Sequence, residues 1–117
     1  LDYLKRLIPG FEKAANLFRT GNEHEANKYY LQILEGIDWF SQVVNVIMTP
    51  ETDHLVVPSS DNESLEVRQE KLTDLMSQML EANKNQDWVL LADLLEYEMA
   101  PFYKDWEKIL SKLENPN

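Results

Sequence analysis

Cysteine is absent from this chain, which removes disulfides, thiolate nucleophiles and cysteine-ligated metals from consideration. Glycine and proline are scarce, at three and five positions in 117 residues, so few sites interrupt a helix. Long β-branched runs are missing too, and only Leu55-Val56-Val57 leans toward strand. Helix is therefore favoured over sheet. No apolar run approaches the roughly 20 residues that a membrane span needs, and no signal-peptide pattern opens the chain; a cytoplasmic location without membrane contact is the expectation. Positive charge is the remaining deficit: 11 Lys and Arg stand against 21 Asp and Glu, a net charge of −10. Such a field repels phosphate backbones, so nucleic acid is not an expected partner. It leaves an acidic inhibitor or nucleic-acid mimic as one function to weigh.

What the chain does have is apolar residues at helical spacing. Its length suits one domain over 1–117. Tyr3, Leu4, Leu7, Ile8, Phe11, Ala14, Ala15 and Phe18 define a first helix over 1–20, which Pro9-Gly10 should split into two pieces. Gly21 is placed to end it and Asn22, with Glu25 three residues on, to cap a second helix over 23–48. Gly36 reads as a weak point inside that helix. Thr49-Pro50 closes it, residues 49–60 form the one long connection, and Ser60 with Glu63 opens a third helix over 61–84 carrying Leu72, Leu75, Met76, Met79 and Leu80. After Asn85-Gln86-Asp87 a fourth helix over 88–113 follows, with Asp87 as its cap. Matched lengths and two tight turns predict an all-α, four-helix bundle of two antiparallel hairpins, with up-down-up-down order favoured.

Two features invite a function. On the fourth helix, Trp88, Leu91, Leu95, Phe102, Trp106, Ile109 and Leu113 share one face at 100° per residue, and Glu98 falls among them. A carboxylate there needs a partner, and Arg68 on the facing side of the third helix is the natural one, a buried polar pair that fixes register. Read functionally, Glu98 with Asp105 two turns on makes the acid–base couple or half metal site of a small metal-dependent hydrolase. Metal ligation is otherwise poorly supplied, since the only Glu-x-x-His string is Glu51-Thr52-Asp53-His54 in the connection, and no cofactor is expected. The i, i+3 pairs Glu35/Asp38 and Asp93/Glu96 share a spacing with magnesium-binding pyrophosphohydrolases, but both point away from their apolar stripes. His24 and His54 read as surface residues.

The second anomaly is the end of the second helix, where Trp39, Phe40, Val43, Val44, Val46, Ile47 and Met48 leave almost no polar side. Either Leu55-Val56-Val57 folds back over it or another chain does. Trp39, Val43 and Val46, joined by Leu90, Tyr97 and Pro101 on the fourth helix, are the interface candidates. Pro101 should also bend its helix and free the carbonyl of Tyr97.

Two stretches carry resemblances. Gly21-Asn22-Glu23-His24-Glu25-Ala26, with Tyr29-Tyr30 and Ile33-Leu34, resembles the turn and second helix of a tetratricopeptide motif, which implies a tightly packed helical hairpin. No second copy follows at the 34-residue period, so that family's superhelical peptide groove is not implied. Asp87-Trp88, Leu91-Ala92-Asp93-Leu94-Leu95-Glu96-Tyr97-Glu98, Pro101 and Trp106 look like the closing helix of small uncharacterised bacterial helical proteins. The favoured function is a non-enzymatic protein–protein interaction module of adaptor, chaperone-like or regulatory kind, with a protein partner or a homodimer.

Overall fold

The computed structural model describes residues 2–47 and 65–114. The connection 49–60, the Ser60/Glu63 cap, Glu51 and His54, the Leu55-Val56-Val57 segment, and the side chains of Val46, Ile47 and Leu113 lie outside the described residues. Among those described there is no strand. Helices α1 (Asp2–Arg19), α2 (Glu23–Ile47) and α3 (Leu65–Lys84) are followed by a fourth rod of three parts. These are α4 (Trp88–Asp93), a π-helical segment (Leu94–Met99) and α5 (Ala100–Glu114).

The helices alternate in direction. Phe11 stacks on Tyr103 and Phe18 on Trp88, so α1 runs antiparallel to the fourth rod. Phe18 also meets Tyr30 edge-on and Phe40 meets Trp106, which sets α2 antiparallel to α1 and parallel to the fourth rod. The expected up-down-up-down bundle is what forms. Its centre is α1, which packs against α2, α4, the π segment and α5, whereas α3 packs against α4 and the π segment. Leu4, Phe11, Ala14, Ala15 and Phe18 are accordingly buried. Because α3 is covered on one side, it buries a narrow strip of Arg68, Leu75, Met79 and Ala82, and Leu80, expected inside, is 67% exposed.

Pro9 does not divide α1, which is continuous. Proline removes the bond to the carbonyl four residues back, but Pro9 and Lys5 are both exposed, so that carbonyl lies on the side water can satisfy. Gly36 is not a weak point but a notch. A Cβ there would stand 2.5 Å from Tyr3 Oη and 3.0 Å from Leu7 Cδ1, so the bare backbone leaves room for the ends of these two α1 side chains where the helices meet.

Both hairpins turn the same way. The Asn22 N–H donates to Leu17 O at 2.9 Å and the Gly21 N–H to Phe18 O at 3.3 Å, with Gly21 at φ +82°. Asp87 N–H donates to Ala82 O at 2.8 Å and Gln86 N–H to Asn83 O at 3.0 Å, with Gln86 at φ +56°. These are paired Schellman endings, glycine filling the left-handed position in one and glutamine in the other. Asp87 then caps α4 by accepting from the Leu90 N–H at 3.2 Å. A side chain in left-handed backbone costs roughly 1–2 kcal/mol, partly offset by glycine's looser unfolded chain. Gln86→Gly should therefore raise the unfolding free energy by about 0.5–1 kcal/mol, readable as a higher urea midpoint at unchanged slope.

Candidate functional site

The buried polar pair is half present. Arg68 is 1% exposed, the one buried charged residue among those described, but Glu98 is exposed and the described carboxylate that Arg68 meets is Asp105, Nη1 to Oδ2 at 4.0 Å. The cause is the π segment. Ala100 N–H donates to Leu95 O, an i→i+5 bond that fits an extra residue into one turn, so the stripe slips forward: Leu94, Leu95, Met99 and Ala100 are buried and Glu98 turns outward. Pro101 helps to set this turn, since without an N–H it cannot close the α-helical bond to Tyr97 O in any case. Widening the helix therefore sacrifices little and keeps a carboxylate out of the core.

Arg68 sits in an aromatic box. Its guanidinium lies 4.6 Å from the Phe102 ring centroid and 5.1 Å from that of Trp106, and Nη2 donates to Phe102 O at 3.0 Å. Tyr103, beside it, stacks on Phe11 and meets Phe40 and Phe102 edge-on. The void in this box is about 10 Å³, room for one water at most. A sealed, permanently charged guanidinium neither takes nor gives a proton; its work here is to hold α3 against α5. With Asp105 drawn to Arg68 and Glu98 facing solvent, the two carboxylates expected of a hydrolase do not converge on one site. Among the described residues, no group of three or more His, Asp or Glu is placed to hold a metal ion.

Burial pushes the Tyr103 phenol well above its ordinary value of 10, with the Arg68 charge pulling it partway back. Burial raises Tyr30 as well. The folded state thus favours the neutral phenols, a contribution fully present below pH 10 and lost as pH climbs from there toward the folded-state values. The unfolding free energy should fall above about pH 10, by up to ~1.4 kcal/mol per pH unit for each phenol, read as a lower urea midpoint. The Tyr103 hydroxyl has no hydrogen-bond partner among the described residues. Tyr103→Phe should flatten that alkaline decline and, at neutral pH, match or exceed the parent by about 1 kcal/mol.

Asp93 and Glu96 are not simply solvated. Both receive Arg19 from the end of α1, Nη2 to Asp93 Oδ1 at 2.8 Å and Nη1 to Glu96, and these bonds raise the arginine further. Sequence reasoning missed this clamp, because no spacing within a helix signals a partner 74 to 77 residues away.

The interface candidates separate into two places. Trp39 is 49% exposed and tilted against Tyr3 with centroids 4.5 Å apart, with Val43 half-buried nearby on α2. Tyr97, 62% exposed, lies under Arg19 at 5.4 Å, with Leu90 and Pro101 also exposed. Tyr3 and Arg19 are sixteen residues apart on α1, or about 24 Å at 1.5 Å per residue, so the flank of the fourth rod does not join the Trp39 patch. What does adjoin it is a groove of about 230 Å³ between α1 and α2, bounded by Tyr3, Arg6, Tyr29 and Gln32 over Leu7, Gly10 and Ile33. No helix among the described residues is long and apolar enough to cross a membrane.

The chain belongs to the family described as Domain of unknown function (DUF8042), whose model matches residues 1–109. No curated protein and no solved structure matches it.

Proposed function

We propose that the chain is a non-enzymatic helical interaction module whose partner-facing surface is the α1–α2 face around Trp39. The observation that carries the reading is the Trp39 ring, half exposed and propped against Tyr3 at the lip of a groove lined by aromatic side chains. Indole, phenol and guanidinium groups dominate binding energy at protein interfaces, and Trp39, Tyr3 and Arg6 bring one of each to this lip. An exposed tryptophan held by a neighbour loses little freedom on binding, which preserves its contribution to affinity. The sealed box around Arg68, by contrast, offers no room for a substrate.

Trp39→Ser is the test. The variant should keep its helical circular dichroism and melt within a few degrees of the parent, because the substitution is at the surface. Affinity capture from extracts of the producing organism, with parent and variant as paired baits, should lose the parent's specific partner, or sedimentation should lose a parent dimer. Identical partners and identical mass for both proteins would end the proposal.

A further inference from the structure

The groove beside Trp39 has a chemistry of its own, and any assignment of its occupant rests on the α1–α2 face being the interaction surface. At about 230 Å³ it falls below the roughly 300–1,000 Å³ of pockets that enclose drug-sized ligands, yet it has room for one large side chain. Tyr3 from α1 and Tyr29 from α2 both line it. Gly10 lies in the floor, where an added Cβ would meet nothing nearer than Ile33 Cγ1 at 3.9 Å, an ordinary contact. Packing therefore does not require glycine here. A glycine inside a helix is less favourable than alanine, and what it preserves at this position is the depth of the groove.

Charge supplies the second half. In a chain of net charge −10, α1 carries Lys5, Arg6, Lys13 and Arg19 against Asp2 and Glu12. Arg19 is engaged by Asp93 and Glu96 at the far end. Arg6 lies 5.9 Å from the Tyr3 centroid and Lys13 lies 5.2 Å from that of Tyr29, so each of the two tyrosines that line the groove carries a cation. Neither cation pairs with a carboxylate among the described residues. A surface that is cationic at its edges and aromatic within, on an otherwise acidic protein, is complementary to the opposite arrangement.

We propose that this groove receives an aromatic side chain of an acidic partner segment. The ring enters between Tyr3 and Tyr29 over Gly10, and flanking carboxylates meet Arg6 and Lys13. The probe is the peptide acetyl-Asp-Glu-Phe-Asp-Glu-amide, titrated into the full chain while backbone amide shifts are followed by NMR. Shifts should centre on Tyr3, Gly10, Tyr29 and Gln32 and saturate at millimolar peptide. Replacing Phe by Ala in the peptide, or the acids by lysines, should weaken binding at least about tenfold, and added salt should weaken it too.

Gly10→Leu, which fills the floor and suits a helix better than glycine, should abolish the shifts in a protein that melts no lower than the parent. Arg6→Glu should weaken them with the fold intact. Absence of shifts at about 10 mM peptide, where even a fragment-strength Kd of about 1 mM would leave most of the protein bound, overturns the proposal. So does equal binding of the Ala or Lys peptides, or of the Gly10→Leu protein. A parent dimer that Gly10→Leu converts to monomer also overturns it, making a second copy of the chain the occupant. If the peptide fails while Trp39→Ser still costs the chain its captured partner, the surface stands and only this occupant is wrong.

Discussion

Arg68→Ala is expected to lower the unfolding free energy by about 3 kcal/mol, a large share of the roughly 5–15 kcal/mol that holds a domain of this size together. The loss has separable parts. Truncation empties the space between Phe102 and Trp106, removes two cation–π contacts and takes away the donor to Phe102 O. Asp105 is less harmed, because its side chain is 24% exposed and water can take over the role of the guanidinium. That points to volume and ring contacts, more than ion pairing, as what fixes α3. Arg68→Met keeps most of the stem's packing and should cost less than half as much as Arg68→Ala. Denaturant midpoints of the two variants decide between the accounts; equal losses would mean that charge, not shape, anchors the helix. Hydrogen exchange gives a local readout, since Arg68→Ala should speed exchange first in the amino-terminal half of α3, where Arg68 provides the fully buried contact.

Four rods, their turns and their alternation are legible in the sequence because each rests on local chemistry. Apolar spacing marks a helical face wherever the residues per turn stay constant, and Gly21 and Asp87 advertise helix ends by what their backbone and side chain can do. Arg68 is legible as a group that needs a carboxylate, although the one it meets is Asp105 and not Glu98, and Trp39 as an apolar side chain of α2, which stays half exposed. The failures have one origin, which is that sequence periodicity carries no information about which neighbours a helix has. Leu80 lies on a plausible stripe but outside the one side of α3 that is covered. The Arg19 clamp and the groove each need α1 beside a helix far away in sequence. Pro9 leaves α1 whole because a lost hydrogen bond matters only where water cannot replace it.

Glu98 is the sharpest of these cases, and it gives the second large effect. On a straight α-helix Glu98 and Met99 would share the core-facing stripe, one at each edge, about 50° from its centre. The π turn gives the place to Met99, 0% exposed, and turns Glu98 out. Met99→Ala should therefore cost about 2–5 kcal/mol, whereas Glu98→Ala should stay within about 0.5 kcal/mol of the parent. A straight α-helix from Trp88 onward changes the expectation at Glu98 alone, because Met99, four residues past Leu95 and three before Phe102, stays on the stripe: Glu98→Leu would then stabilise by relieving a buried carboxylate. Equilibrium urea unfolding of Glu98→Ala and Glu98→Leu distinguishes the registers, since only the π register makes Glu98 indifferent, while Met99→Ala measures a burial common to both. The downstream packing shows why the slip is not easily undone: Tyr103, four residues beyond Met99, is wholly buried against Phe11 and Phe40. Restoring the α register would rotate that ring away from both, so substitution at Glu98 alone should leave the π turn in place.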